Sequence, residues 1–386
     1  MTASSVRHPG ELRWETRLVA VLTLILVALG VAVCYAAGSY REDWYAEAQQ
    51  QLSGALIGGL LFLLAAGIDY RMLRKWARPL FYATIAGLGF IALVAIIWRD
   101  KRAPAPLGDF VPYINGSRRW LSLFGFQVQL SEVARFTVPV MVAALVAEVG
   151  PRIRKFNEGF VPVVRPIVIA AALVAVQPNL SMAILLTCLT MSVVFVAGAK
   201  ISHLALLGAI GLVGGGAMLT LNAERSSRMD EYLAPALDCS IDSQVCNSLI
   251  GLGNGGVFGV GFGEGTQKLG RLAYGYSDFI LSVLGEEWGF IGVVFVVICF
   301  FLFCWMGFRI AKTAPDLFGT ALAGGLTAMV GLAALLHAAV VLKMIPSTGL
   351  TLPFISAGRV SLVIYLVSAG VLVSIGRRRG KPSRAR

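Results

Sequence analysis

The sequence predicts an all-α integral membrane protein with about ten transmembrane helices and a large extracytoplasmic loop between helices 7 and 8. Three observations predict it. Of the 386 residues, 57% are hydrophobic and 14% are charged, whereas a soluble domain carries about a quarter charged residues. The apolar residues gather into repeated runs of about 20, the length of a helix that crosses a bilayer, where backbone groups must be satisfied internally. The strand-length alternation that a barrel requires is absent.

The first run, 18–38, ends in Tyr35-Ala36-Ala37-Gly38, a weak match to a signal-peptidase site, and reads as a retained span. Spans follow at 52–68, 79–98, 132–149, 161–177, 180–198, 201–221, 280–307, 317–342 and 356–376. An even count puts both termini on one side. The C-terminal RRRGKPSRAR, with Arg7, Arg13 and Arg17, makes that side cytoplasmic. The short basic loops at 69–78, 150–155 and 308–312 agree. The whole reads as a single polytopic domain, 1–386, with a cytoplasmic N-terminus at 1–17, a large outer loop at 222–279 and a basic cytoplasmic tail at 377–386.

The net charge of +12 comes from basic residues beside apolar segments, which fits membrane topology and anionic lipid and gives no case for nucleic acid. Two outer segments nonetheless carry cations: Arg99–Ser131 holds Arg118 and Arg119, and Asn222–Phe279 holds Lys268. Solvated loop charge explains them, and so does an anionic ligand at the outer surface. Four cysteines (Cys34, Cys188, Cys299, Cys304) lie in apolar runs and act as small hydrophobes. Cys239 and Cys246 share a polar loop, where a disulfide and a pair of free thiols both remain open.

Four constellations carry the candidate chemistry. In the large loop, GLGNGGVFGVGFGEGTQKLG (251–270) permits close backbone approach, for a tight re-entrant fold or an anion cradle; it lacks the GxxxxGK[ST] nucleotide pattern. Asp278 follows it, and read alone it is better explained as a helix N-cap or first-turn acid than as a functional group. Glu286 and Glu287 fall about two turns into a span, where an ionised side chain needs a partner or a cavity. Upstream, Arg118 and Arg119 precede Trp120, and Glu132 and Arg135 are spaced to pair on one helix face. QPNLS (177–181) is a polar hairpin starting at Gln177. PSTGLTLPFISAGRVSL (346–362), which includes Ser356 and Arg359, interrupts the approach to the last span as cavity-lining segments do. His203 and His337 have no metal ligand at suitable spacing and read as structural.

In this order, over nearly the whole chain, these motifs resemble the SEDS family of peptidoglycan glycosyltransferases, the FtsW/RodA/SpoVE type. The matching stretches are NGSRRW (115–120), QLSEVAR (129–135), QPNLSMA (177–183), LGNGGVFGVGFGEGTQK (252–268), YSDFILSVLGEEWGFIG (276–292), TGLTLPFISAGRVSL (348–362) and the early Asp69-Tyr70-Arg71. The sequence departs from the family pattern at Asn179, where an acid is usual, at Tyr276, where a histidine is, and at Ala357, Arg359 and Val360. GVFGVGFGEGTQK and LGEEWG favour the FtsW-like type over the RodA-like.

The resemblance implies polymerisation of lipid II, an undecaprenyl-pyrophosphate-linked disaccharide pentapeptide, into β-1,4 glycan at the outer face of the bacterial cytoplasmic membrane. It makes Asp278 the base of an inverting single displacement. Arg118, Arg119 and Lys268 would stabilise the departing pyrophosphate, with a divalent cation (Mg or Mn) as an optional supplement and no metal-ligand residues assigned. Glu132 and Arg135 would orient the acceptor or tune Asp278, while Glu286, Glu287, Gln177 and Ser356 support the site. Cross-linking would need a partner, a class B penicillin-binding protein. A transporter of the lipid-linked precursor and a non-catalytic division scaffold are the competing classes; a transporter keeps its charges near the midplane, whereas here they gather at one surface.

Overall fold

The computed structural model describes residues 14–38, 46–98, 103–105, 107–114, 116–123, 126–220, 232–233, 243–269, 272 and 274–378. Its helices are α1 (Trp14–Gly38), α2 (Ala46–Gly67), α3 (Arg71–Ile97), α4 (Leu107–Phe110), α5 (Leu130–Val149), α6 (Val161–Val176), α7 (Leu180–Val196), α8 (Ile201–Thr220), α9 (Gln244–Gly255), α10 (Ile280–Lys312), α11 (Leu317–Val341) and α12 (Arg359–Arg377). All ten expected spans have a helix. Eight are long and apolar enough to cross a membrane, and α7 and α8 are shorter apolar helices. The chain is a multi-pass membrane protein.

Three boundaries differ from expectation for local reasons. α2 starts at Ala46 and α3 at Arg71, earlier than 52 and 79, because AEAQQQ and RMLRK are good helix formers that extend the helix past its apolar part. α12 starts at Arg359, later than 356, because the residues before it turn tightly. A small antiparallel hairpin, β1 (Trp120–Leu123) with β2 (Phe126–Gln129), interrupts the helical pattern and leads directly into α5. Part of the expected loop at 222–279 lies outside the described residues, as does Cys239; Cys246 is disulfide-bonded.

Helices in lipid associate through small residues that let backbones approach. α2 does this against α12: a Cβ on Gly54 would lie 3.2 Å from the Arg359 Cα, and one on Gly58 3.2 Å from the Val363 Cα. Gly370 of α12 returns the fit, with the Phe62 carbonyl 2.5 Å from its Cβ position. One buried apolar core joins these helices and includes Leu26, Met141, Leu186, Phe303, Met329 and Tyr365.

The glycine-rich run packs into a break in α10. Gly289, with φ +69°, leaves the helical conformation in mid-element, a backbone state that favours glycine. The groups freed there are satisfied from the run: Val260 N donates to Glu286 O (3.0 Å), Gly261 N to Glu287 O (3.1 Å), and Phe290 N to Gly256 O (2.9 Å). A Cβ on Gly259 would sit 2.1 Å from the Glu287 carbonyl oxygen. Of the two expectations for the run, close packing is the one the structure displays.

The opposite end of the bundle is fastened by Asp316, the N-cap of α11. Its Oδ1 accepts from Gly319 N (2.7 Å), and its Oδ2 from the Tyr70 hydroxyl (2.6 Å) and Arg71 Nε (3.0 Å). Burial raises the carboxyl pKa, but the bonds from Tyr70, Gly319 and Arg71 outweigh it and hold the group below the usual aspartate value. Glu15 of α1 pairs with Arg309 of α10 at 2.8 Å at this end.

Candidate functional site

Asp278 closes a turn built by hydrogen bonds to Tyr274 O, from Ser277 N at 3.1 Å and from Asp278 N at 3.0 Å, immediately before α10. The N-cap position of that helix falls on Phe279, whose side chain caps nothing, so the capping reading of Asp278 is not what the fold uses. The carboxylate is half-buried. Above it lies the segment 346–358, and Gly349, with φ +67°, brings the chain so near that its Cβ position is 3.7 Å from Asp278 Oδ2.

The covering segment is tied down along its length. Ser356 Oγ donates to the Ser277 carbonyl (2.7 Å) and accepts from Leu352 N (2.8 Å), while Ala357 N donates to Tyr276 O (3.0 Å). From the membrane side, Gln51 Nε2 of α2 donates to Phe354 O (3.0 Å), and Cys34 of α1 donates to Ile355 O (3.3 Å). Phe354 has φ +65°, a strained state for a bulky residue that costs on the order of 1–3 kcal/mol. Packing offsets the strain, since its ring is fully buried against Phe303 and Tyr365.

The same segment reaches Glu132 and Arg135. Both are buried on α5, with Arg135 Nη2 3.8 Å from Glu132 Oε1. Arg135 also donates to the Tyr365 hydroxyl and to Ser361 Oγ, and lies over the Tyr365 ring. Ser361 in turn shares a hydrogen bond of 3.1 Å with Thr351 Oγ1. Asp278 and the Glu132–Arg135 pair are thus joined through residues 349–361. Sequence reading missed Tyr365, Ser361 and Thr351; a buried guanidinium on α5 that needs acceptors was the only signal for them.

Glu286 and Glu287 are both buried and both occupied. Glu286 accepts from Thr266 N (3.0 Å), Thr266 Oγ1 (2.9 Å) and Gln267 N (3.1 Å), which staples the loop to α10. Glu287 Oε1 pairs with Lys268 Nζ at 2.7 Å, and that ammonium also donates to the carbonyls of Gly263 (2.7 Å) and Ala36 (2.8 Å). With all three protons engaged and the residue buried, Lys268 braces the loop in this conformation.

Arg118 is buried, donating to the carbonyls of Val111 and Trp98 and lying over Tyr113. Arg119 is half-buried, with Nε on Ser117 Oγ at 2.6 Å. Gln177 ties the end of α6 to Leu88 O of α3 (2.8 Å). Asn179 caps α7 through Met182 N and donates to Ser131 Oγ (3.2 Å), a bond that an ionised acid could not donate. Arg359 Nε donates to Ser53 Oγ of α2 (3.0 Å). Among the described residues no three His, Cys, Asp or Glu side chains converge as metal ligands.

The family model for FtsW, RodA and SpoVE, described as a cell cycle protein, matches residues 16–381. Stage V sporulation protein E of Bacillus subtilis (strain 168) is 33% identical over 372 residues, covering 93% of this chain and 96% of its own length. The probable peptidoglycan glycosyltransferase FtsW of Geobacter sp. (strain M18) is 34% identical over 371 residues, with 94% and 96% covered. Among solved structures, one on the coordination of polymerization and crosslinking by a peptidoglycan synthase complex aligns with a TM-score of 0.73 at 26% identity, covering 94% of this chain and 98% of that one. The rod shape determining protein RodA of Thermus thermophilus aligns with a TM-score of 0.67 at 25% identity, covering 94% and 97%.

Proposed function

From the premise that the chain belongs to the FtsW/RodA/SpoVE family of cell cycle proteins, we propose that it is a peptidoglycan glycosyltransferase that polymerises lipid II at the outer face of the bacterial cytoplasmic membrane. The observation that carries the reading is the position of Asp278, half-buried under the 346–358 segment and joined through it to Glu132 and Arg135. Both termini are then cytoplasmic, and the Cys246 disulfide suits an oxidising outer side.

Joining an α-linked donor into a β-1,4 glycan inverts the anomeric carbon, so one displacement suffices. The acceptor hydroxyl oxygen bonds to that carbon as the bond to the pyrophosphate oxygen breaks. Asp278 takes the hydroxyl proton, and the undecaprenyl pyrophosphate leaves with the electron pair. Arg119, half-buried and near the surface, is the better placed of the basic pair to meet that developing charge, with Arg118 fixed behind it. Lys268 contributes by holding the loop. Glu132 and Arg135 form the acceptor side. Asp278 alone makes no protein-only Mg or Mn site, so no step here depends on a metal.

The geometry favours an enzyme over a transporter because the buried charges at Asp278, Glu132, Arg135 and Lys268 adjoin helix ends and a loop. Cross-linking falls to a class B penicillin-binding protein partner. The relatives named FtsW favour the division role. The test is glycan formation from purified lipid II by the reconstituted protein, with and without that partner, for wild type and Asp278→Asn. Polymer from wild type alone supports the reading. Equal polymer from both removes Asp278 from catalysis, and none from either, partner present, returns the transporter and scaffold readings.

A further inference from the structure

His337 stands apart from every role given above. It lies within α11, is 1% exposed, and places Nδ1 2.9 Å from the carbonyl oxygen of Leu350. A carbonyl only accepts, so Nδ1 carries the proton and Nε2 does not. That second nitrogen is buried with no hydrogen-bond partner among the described residues. A bare buried nitrogen is costly, and a leucine would fill similar space without it. The imidazole is therefore worth keeping for what Nδ1 holds.

What it holds is the middle of a three-residue bridge. Gly349 borders Asp278 Oδ2, and Thr351 bonds Ser361, which accepts from Arg135. Leu350 lies between them, itself buried. We propose that His337 is a positioning residue that sets the separation of Asp278 from the Glu132–Arg135 pair by fixing the Leu350 carbonyl. It touches neither substrate nor reacting atoms and acts through the backbone. The inference rests on the glycosyltransferase reading, because it assigns Asp278 the acid-base role.

The two ring nitrogens make the test specific. His337→Asn puts an amide N–H near the Nδ1 position, His337→Gln puts one near Nε2, and His337→Leu supplies neither. A misplacement of about 1 Å costs up to about a hundredfold in rate, so the Leu and Gln variants lose at least about tenfold in kcat for lipid II polymerisation, with KM changed by less than about twofold. The Asn variant stays within about threefold of wild type on the same basis. Hydrogen exchange across residues 346–358 speeds up in the Leu and Gln variants and not in the Asn variant.

An Asn variant as impaired as the Leu variant, or a Leu variant with wild-type kcat, overturns the proposal. If the Leu variant does not fold, the comparison of Asn with Gln decides. A wild type that makes no polymer defeats the enzyme reading instead, and the exchange rates then judge the hold on Leu350 by themselves.

Discussion

Lys268 and Glu287 form a buried ion pair of 2.7 Å whose ammonium also binds two backbone carbonyls. Removing one member leaves the other buried and unpaired, at a cost of about 3–5 kcal/mol, whereas replacing both with apolar residues of similar size is far milder. Lys268→Met and Glu287→Leu will each lower the thermal midpoint in detergent, and the double variant will recover most of the loss. A Lys268→Met protein as stable as wild type would show the ammonium to be free for ligand.

Ser356 spans the covering segment and the residue before Asp278. Ser356→Ala strands the Leu352 N–H and the Ser277 carbonyl, at about 1–3 kcal/mol. The rate should fall about tenfold, because the displaced backbone carries Asp278 with it. Polymerisation rate and thermal midpoint, measured together, check it: activity must fall at temperatures where the variant is fully folded.

Two glycines should behave oppositely. Gly259→Ala forces a Cβ to within 2.1 Å of a carbonyl oxygen at φ +83°, and costs about 3 kcal/mol or more. Gly214, in α8 with open space around it, should tolerate alanine and gain up to about 1 kcal/mol of helix propensity. Unfolding midpoints of the two variants separate the cases, and equal effects would contradict the docking of the glycine run.

Acid should loosen the end of the bundle held by Asp316. Its carboxyl pKa is lowered on folding, so its stabilisation is present above the unfolded value of about 3.9 and is lost as pH falls through the lower folded value. Asp316→Ala removes an N-cap and charge-assisted bonds in a partly exposed place, for about 2 kcal/mol at neutral pH. The gap between its midpoint and that of wild type should narrow on acidification towards pH 3. A gap that is constant with pH would deny the carboxylate this role.

The spans were legible because apolar length alone defines them, and boundaries slipped where polar helix formers such as Ala46–Gln51 carried a helix past its apolar part. The hairpin at Trp120–Gln129 was not legible, as each four-residue strand is too short to display alternation. The residues of the site were named from motifs, but their partners were not. Glu287 and Lys268 are 19 positions apart and both were read separately, one as support and one as an anion ligand, because nothing local says they meet. His337 lacked any ligand at useful spacing because its partner is a backbone carbonyl 13 residues on. A carbonyl leaves no trace in residue types.

The break at Gly289 has a mechanical consequence. The stretch 280–288 is bonded to the glycine run, and the stretch 290–312 continues as the lipid-facing rod. When bilayer thickness changes, a long helix adjusts by tilting. The rod can tilt about Gly289 while the stretch beyond it stays fastened to its loop, so Asp278 is insulated from the membrane's dimensions. Glycan synthesis should then proceed at similar rates in thin and thick bilayers.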